Sequence, residues 1–256
     1  MARAFRRGSR EQVRDRAVVI RAYDFGEADR IIVLLTRNHG IIRAVAKGVR
    51  RANSRFGSRL QKFVDVDVNL YLGKGLATIT DADVVTLFPH MTDDYSRYTA
   101  ACAMLETAET LSFDSDPLLF DLTTTALARI HEGDPTLELD AFLLHVMSYA
   151  GWAPSLVDCA QCSATGPHRS FHAPSGGVVC DNCRPSGAFT PPSGALRLMW
   201  LLAHNRFEEA YAVPDEFANR AHHIIRSYLQ FHVERTIGAM HFLDNQQLVR
   251  TPAAGR

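Results

Sequence analysis

Lysine is scarce in this chain. Lys47, Lys62 and Lys74 are the only lysines among 28 basic residues, so arginine carries nearly all of the positive charge. Arginine suits bidentate phosphate contacts and stacking on bases, although genome composition produces the same bias. Long apolar runs are also missing. No stretch approaches the roughly 18 residues that a membrane-spanning helix needs. The opening Met1-Ala2-Arg3-Ala4-Phe5-Arg6-Arg7 is charged, but no apolar core of a signal peptide follows before Arg14 and Asp15. A cytoplasmic protein with a short, disordered basic head is therefore expected. There is no Walker-type phosphate loop, which leaves ATP hydrolysis without support, and no H-E-x-x-H or G-x-S-x-G. Internal repeats, low-complexity tracts and paired carboxylates in a convincing context are absent too.

What is present reads as an ordinary globular chain. It has 256 residues, 46% of them apolar, enough to bury a core without disulfide staples. The net charge of zero hides an asymmetry. Residues 1–60 hold 15 basic and 5 acidic residues, and the remainder holds 13 basic and 23 acidic. One basic end and one acidic body point to a polyanionic partner for the first segment. A solvated basic face, or two halves docking on each other, would read the same way.

The first part of the chain has β character. Ala17 to Arg21, Ile31 to Thr36 and Ile41 to Ala46 are short β-branched runs, with Asp24 to Asp29 and Asn38-His39-Gly40 as turns. Phe63 to Leu70 alternates strictly, Gly73-Lys74-Gly75 turns the chain, and Leu76 to Val85 resumes. Five short strands fit a small Greek-key barrel of the OB type, and an SH3-like barrel nearly as well.

From Met91 the period changes. Tyr95, Tyr98, Cys102, Leu105, Ala108 and Leu111 recur at helical spacing, after Thr92 and Asp93 as capping residues. Leu118 to Ile130, Leu137 to Tyr149, Ser193 to His204 and Asp215 to Ile237 read as further helices, with Gly151 at a helix C-terminus. The expected fold class is α+β. A β-barrel module over 1–88 precedes an all-helical domain over 89–256, which carries a cysteine-rich module at about 156–187.

That module rests on Cys159-Ala-Gln-Cys162 and Cys180-Asp-Asn-Cys183, separated by 17 residues. The spacing is that of paired zinc-binding turns, each pointing two thiolates at one ion. Four thiolates fill a tetrahedral shell and leave no place for a catalytic water, so one structural zinc ion is expected. Redox dithiols are the other reading of the pairs, and His168 or His172 could replace one ligand. The insert is too polar to fold unaided, so zinc binding would supply its folding free energy. Cys102 is expected in the core of the first helix. His222, His223, His232 and His241 sit at helical spacings that suit surface or packing roles.

Lys47 to Arg59 contains Lys47, Arg50, Arg51, Arg55 and Arg59 and no acidic residue. In a small barrel such a loop borders the binding face. Phosphates need cations and single strands need flat surfaces for their bases. Phe56 lies among the cations, Phe63 and Tyr71 flank the next strand, and Arg37 and Arg43 extend the surface. The candidate DNA-binding residues are Arg37, Arg43, Lys47, Arg50, Arg51, Arg55, Phe56 and Arg59. The alternative for this loop is a solvated segment with Phe56 folded into the core.

The strings Ala17 to Arg21, Tyr23 to Arg30 and Ile31 to Thr36 resemble the opening of RecO, the family of bacterial recombination mediators. His39-Gly40, Ala46 to Arg51, Ser54 to Gly57, Gly151 to Pro154 and the cysteine pairs flanking Gly176-Gly177 continue the likeness, over roughly 14–240. The resemblance implies an OB-fold domain, a helical domain and a zinc module. It also implies ATP-independent binding of single- and double-stranded DNA, annealing of complementary strands, and help in loading RecA. RecR and single-stranded DNA-binding protein are the implied partners, and a nucleoid-associated cytoplasmic location follows. Lys47, Arg50, Arg51 and Arg55 match the family's basic motif. The acid-containing Asp24 to Arg30 segment is given a turn and strand-pairing role. Arg197, Arg206 and Arg220 are candidates for the acidic tail of the single-stranded DNA-binding protein. Two other classes stay open: a nucleic-acid enzyme with a zinc ribbon, and a zinc-containing scaffold whose basic end docks an acidic protein.

Overall fold

The computed structural model describes residues 11–112, 115–233 and 237–240. The expected basic head lies outside the described residues. The chain divides into two compact units. One runs up to Phe88 and includes 112–124; the other holds 89–111 and the chain from Thr125 onward.

The first unit is a closed five-stranded barrel with strand order β1-β2-β3-β5-β4. Its strands are β1 Glu11–Phe25, β2 Asp29–Thr36, β3 Gly40–Ala46, β4 Asp65–Leu72 and β5 Ala77–Thr86. The first strand is much longer than the Ala17 to Arg21 run that marks it. Its first half pairs with β4 and its second half with β2, and a register shift between Val19 and Arg21 lets it bend to serve both. The barrel closes through a parallel pairing of β3 with β5, Ala44 opposite Ala77 and Val45 opposite Thr78. A simple antiparallel meander has no such pairing, so the OB-type barrel is the architecture.

Alternation along the strands fills the barrel. Val19, Ile32, Leu34, Ala44, Val68 and Ile79 all point into one core. The loop between β3 and β4 adds Phe56, Leu60 and Val64 to it. Phe63 is not part of β4 as its apolar character suggested. It has a left-handed backbone (φ 74°) and its N–H donates to the Val19 carbonyl at 2.9 Å. Phe63 thus closes the loop against β1, and the strand begins at Asp65.

The remaining elements are helices α1 Tyr95–Leu111, α2 Pro117–Glu132, α3 Pro135–Tyr149, α4 Ser193–Ala203, α5 Phe207–Tyr211 and α6 Asp215–His232, with a hairpin of β6 Ser170–His172 and β7 Gly177–Val179. Asp94, not Thr92 or Asp93, caps α1: its carboxylate accepts the Ser96 N–H at 2.6 Å. The expected apolar stripe of α1 holds in its second half, where Leu105, Ala108 and Leu111 are buried, and fails in its first. Tyr95 and Tyr98 are exposed and Cys102 is half-buried, while Ala100, Ala101, Ala103 and Met104 are buried. Small alanines allow close approach on faces that a stripe of large residues would not mark. Helix α3 ends as its glycine predicts. Gly151 (φ 81°) donates to Ser148 O at 3.1 Å and Trp152 donates to Met147 O at 2.7 Å, the two bonds of a Schellman cap. Helix α6 stops at His232. The expected continuation toward Ile237 crosses 234–236, outside the described residues.

Candidate nucleic-acid interface and metal centre

The basic loop has no regular secondary structure, yet it is pinned. Val49 packs on the barrel core, and Phe56, Leu60 and Val64 enter it. Backbone bonds fix its first turn against the β1–β2 hairpin. The Gly48 N–H donates to the Asp29 carboxylate at 2.7 Å, and the Arg50 N–H donates to Ala28 O at 3.0 Å. Gly48 itself has φ 67°, a conformation that glycine adopts without strain. Apolar anchors at intervals force the intervening charged side chains outward.

The expected DNA-binding residues sort into three groups. Lys47, Arg51 and Arg55 are exposed on the loop, and Arg43 is exposed on the outer side of β3 with a contact of its own within the chain. Arg37, Arg50 and Arg59 are exposed but have carboxylates of the chain as neighbours. Arg37 reaches Asp121 at 2.8 Å and Arg50 reaches Asp24 at 3.4 Å. Arg59 donates to Ala82 O at 3.0 Å and lies 3.5 Å from Asp83. Exposed pairs of this kind are weak and screened by salt, so a phosphate competes with them readily. Phe56 stands apart and corrects the expectation. It is 1% exposed inside the barrel core, so its ring offers no face to a base.

The Asp24 to Arg30 segment has the turn-and-pairing arrangement its acids suggested. Asp24 accepts from Arg30 at 2.9 Å as well as meeting Arg50, and the hydrogen bond from Arg30 holds its carboxyl below the usual range. Asp29 holds the loop backbone. A buried carboxylate that the sequence did not flag, Asp15, organises the β2–β3 turn. It accepts from the Asn38 backbone at 2.9 Å, from the Asn38 side chain at 2.8 Å, and meets His39 Nδ1 at 2.6 Å.

In the second unit the four cysteines converge. The Sγ atoms of Cys159, Cys162, Cys180 and Cys183 all lie within 4.8 Å of one another, and those of Cys162 and Cys180 are 3.8 Å apart. A zinc ion with four bonds of about 2.3 Å needs sulfurs about 3.8 Å apart, so the donor set fits a tetrahedral ion in both chemistry and spacing. Each pair sits on a tight turn. Ser163 N–H donates to Cys159 O at 2.9 Å, and Cys183 N–H to Cys180 O at 3.1 Å. The Cys180 N–H also donates to the Cys159 sulfur at 3.3 Å.

That bond pulls the Cys159 thiol down to about 6, while hydrogen bonding with the Cys162 and Cys180 sulfurs pushes Cys183 up to about 12. Four thiols this close cannot all ionise unless a cation neutralises them. His168 and His172 are not in the cluster. His168 Nε2 meets Ala164 O at 3.0 Å and His172 Nδ1 meets Ser175 Oγ at 2.7 Å.

The insert is also held by apolar contacts that its polar composition concealed. Phe171, Val178 and Val179 are buried, and the Phe171 ring packs edge-on to Tyr228 of α6 with centroids 5.8 Å apart. Gly177 lets the Ser155 backbone lie against β7, where the Val178 N–H donates to Ser155 O at 2.8 Å. Its φ is 137°, and a Cβ there would lie 2.2 Å from Ser155 O.

Of the histidines expected in surface or packing roles, His222 has a packing role. It is buried on α6 with Nδ1 2.6 Å from Asp140 Oδ1 of α3, and burial pushes the Asp140 carboxyl up. No local pattern links residues 82 positions apart. Of the three candidate arginines in this unit, Arg197 and Arg206 both have Glu209 as a partner and Arg220 is exposed. Among the described residues no helix is long and apolar enough to cross a membrane.

Comparison with protein families agrees with this two-part architecture. A family described as recombination protein O N terminal matches residues 10–88, and one described as recombination protein O C terminal matches residues 92–241.

Proposed function

The chain belongs to the RecO family, a family of non-catalytic mediators of recombinational DNA repair, and from this premise we propose that it binds DNA and anneals complementary strands without ATP. The observation that carries the proposal is the acid-free loop from Lys47 to Arg59, anchored on an OB-type barrel so that Lys47, Arg51 and Arg55 face solvent. Arg43 extends this surface, and Arg37, Arg50 and Arg59 join it by exchanging weak carboxylate partners for phosphates.

Two strands held on one cationic surface repel each other less, so their encounter is faster. Phosphate contacts act on single and double strands alike and release counterions, which makes binding fall steeply with salt. No bond in DNA is made or broken in this process.

Cys159, Cys162, Cys180 and Cys183 would hold one structural zinc ion, and its chemistry is to cross-link the two turns of the insert. RecR and single-stranded DNA-binding protein are the proposed protein partners, with RecA loading as the outcome. A cleft of about 640 Å³ supports an acidic, partly apolar protein segment as a ligand, because Arg169 and Arg197 flank Leu156, Leu196 and Trp200 there.

The test is annealing of two fluorescently labelled complementary oligonucleotides without ATP. The wild type is compared with a variant in which Lys47, Arg50, Arg51 and Arg55 are all changed to Ala. Rapid annealing by the wild type, lost in a folded variant, is the expected result. A wild type that binds no oligonucleotide but retains an acidic protein would favour the scaffold reading instead.

A further inference from the structure

The outer face of the barrel carries an aromatic feature separate from the loop cations. Partners in strand register lie on the same side of a sheet. One such row runs through Tyr23 on β1, Ile31 on β2, Val45 on β3, Thr78 on β5 and Tyr71 on β4. Their neighbours along each strand, Ile32, Ala44, Ile79 and Leu70, lie in the barrel core and Ala22 packs against it, so the row points outward. Tyr23 is 48% exposed and Tyr71 37%, and Phe25, two residues beyond Tyr23, is 47% exposed.

No member of the row is charged, and cations adjoin it. Arg43 precedes Val45 by two residues on the same outer side, and Lys47 follows it just past the end of β3. Arg50 is fastened to Asp24, the residue between Tyr23 and Phe25.

We propose that this row is the stacking platform for unpaired bases, and that it sets a preference for single-stranded over double-stranded DNA. The proposal rests on the DNA-binding reading above and assigns it the base-contacting residues that buried Phe56 cannot supply. Phosphates are common to both kinds of strand, so the cations do not distinguish them. Base faces are free only in a single strand, because duplex bases already stack on each other. Uncharged outward rings next to cations are the arrangement that sequence-tolerant single-strand binding uses.

The experiment measures anisotropy of a labelled oligodeoxythymidine and of a labelled duplex hairpin at several salt concentrations. The proteins are the wild type, a Tyr23→Ala/Tyr71→Ala variant and a Tyr23→Phe/Tyr71→Phe variant. The alanine pair is expected to bind the single strand about tenfold more weakly, to bind the duplex unchanged, and to keep the wild-type salt slope. The phenylalanine pair keeps its rings and is expected to bind as the wild type does. Equal weakening on both DNAs, or no weakening on either, overturns the platform while leaving the cationic site standing. A wild type that binds neither DNA overturns the DNA-binding reading and the platform with it. Photocrosslinking of an iododeoxyuridine-containing strand to the wild type needs no variant to fold. Crosslinks are expected in the peptides that carry Tyr23 or Tyr71, and crosslinks confined to other segments overturn the assignment.

Discussion

The guanidinium of Arg55 lies 5.0 Å from the centroid of the Phe56 ring, with the arginine at the surface and the ring inside the barrel. Adjacent residues thus serve opposite purposes: one is available to phosphates and the other anchors the loop that presents it. Phe56→Ala is expected to destabilise the barrel by about 3–5 kcal/mol, as large truncations in packed cores do. DNA binding by this variant should fail only where the barrel unfolds, which denaturant titration and anisotropy at matched temperatures would show. A variant of full stability that had lost binding would restore Phe56 as a contact residue.

Asp24 restrains two arginines, Arg30 at 2.9 Å and Arg50 at 3.4 Å. It also places negative charge beside the proposed path of the phosphates. Asp24→Asn should therefore strengthen oligonucleotide binding at low salt and steepen the salt dependence by roughly one counterion. The slope of log affinity against log salt is the measurement. A shallower slope would mean that Asp24 orders the arginines for binding and does not compete for them.

The cysteine cluster predicts about one zinc ion per chain, released by thiol-blocking reagents and detected with a chromogenic chelator. Cys159→Ser should lose that ion and melt the helical unit at lower temperature, with a cost of about 4 kcal/mol, typical of a lost structural metal. Unchanged zinc content and unchanged melting would contradict the ligand assignment. The packing of Phe171 on Tyr228 leads us to expect local loosening of the insert before the helices separate.

Glu138 gives a pH-dependent prediction. Burial pushes its carboxyl above the ordinary range, against the hydrogen bond from Tyr211 OH at 2.8 Å. The folded state therefore holds the proton more tightly than the unfolded state. The resulting stability is present below about pH 4.3, the ordinary glutamate value, and is lost as pH rises through the folded value. Glu138→Gln keeps an oxygen to accept from Tyr211 and carries no charge. It should melt higher than the wild type at neutral pH, and the difference should vanish in acid. Equal melting temperatures across that range would show that solvent relaxes the charge.

Much of this protein was legible in its residues because the relevant signals are local. Short β-branched runs marked β2 and β3, alternation marked β4, a glycine marked the end of α3, and the C-x₂-C spacing brought four thiols together. The spacing sufficed because a tight turn leaves its two thiols little freedom of direction. The cationic character of the Lys47 to Arg59 loop was equally plain, since charge is a property of composition.

What depended on tertiary structure was direction and pairing. The string Arg55-Phe56 left open whether the ring faces a base or enters the barrel; the anchoring of Phe56 with Leu60 and Val64 decided it. The pairing of His222 with Asp140, and the docking of Phe171 on Tyr228, join residues far apart in the chain, where periodicity carries no information. Tyr23 and Tyr71 fall into one outward row only because β3 pairs with β5 and closes the barrel. Composition and spacing therefore determined which chemistry-bearing residues are present, and the closure of the barrel decided which of their side chains face solvent.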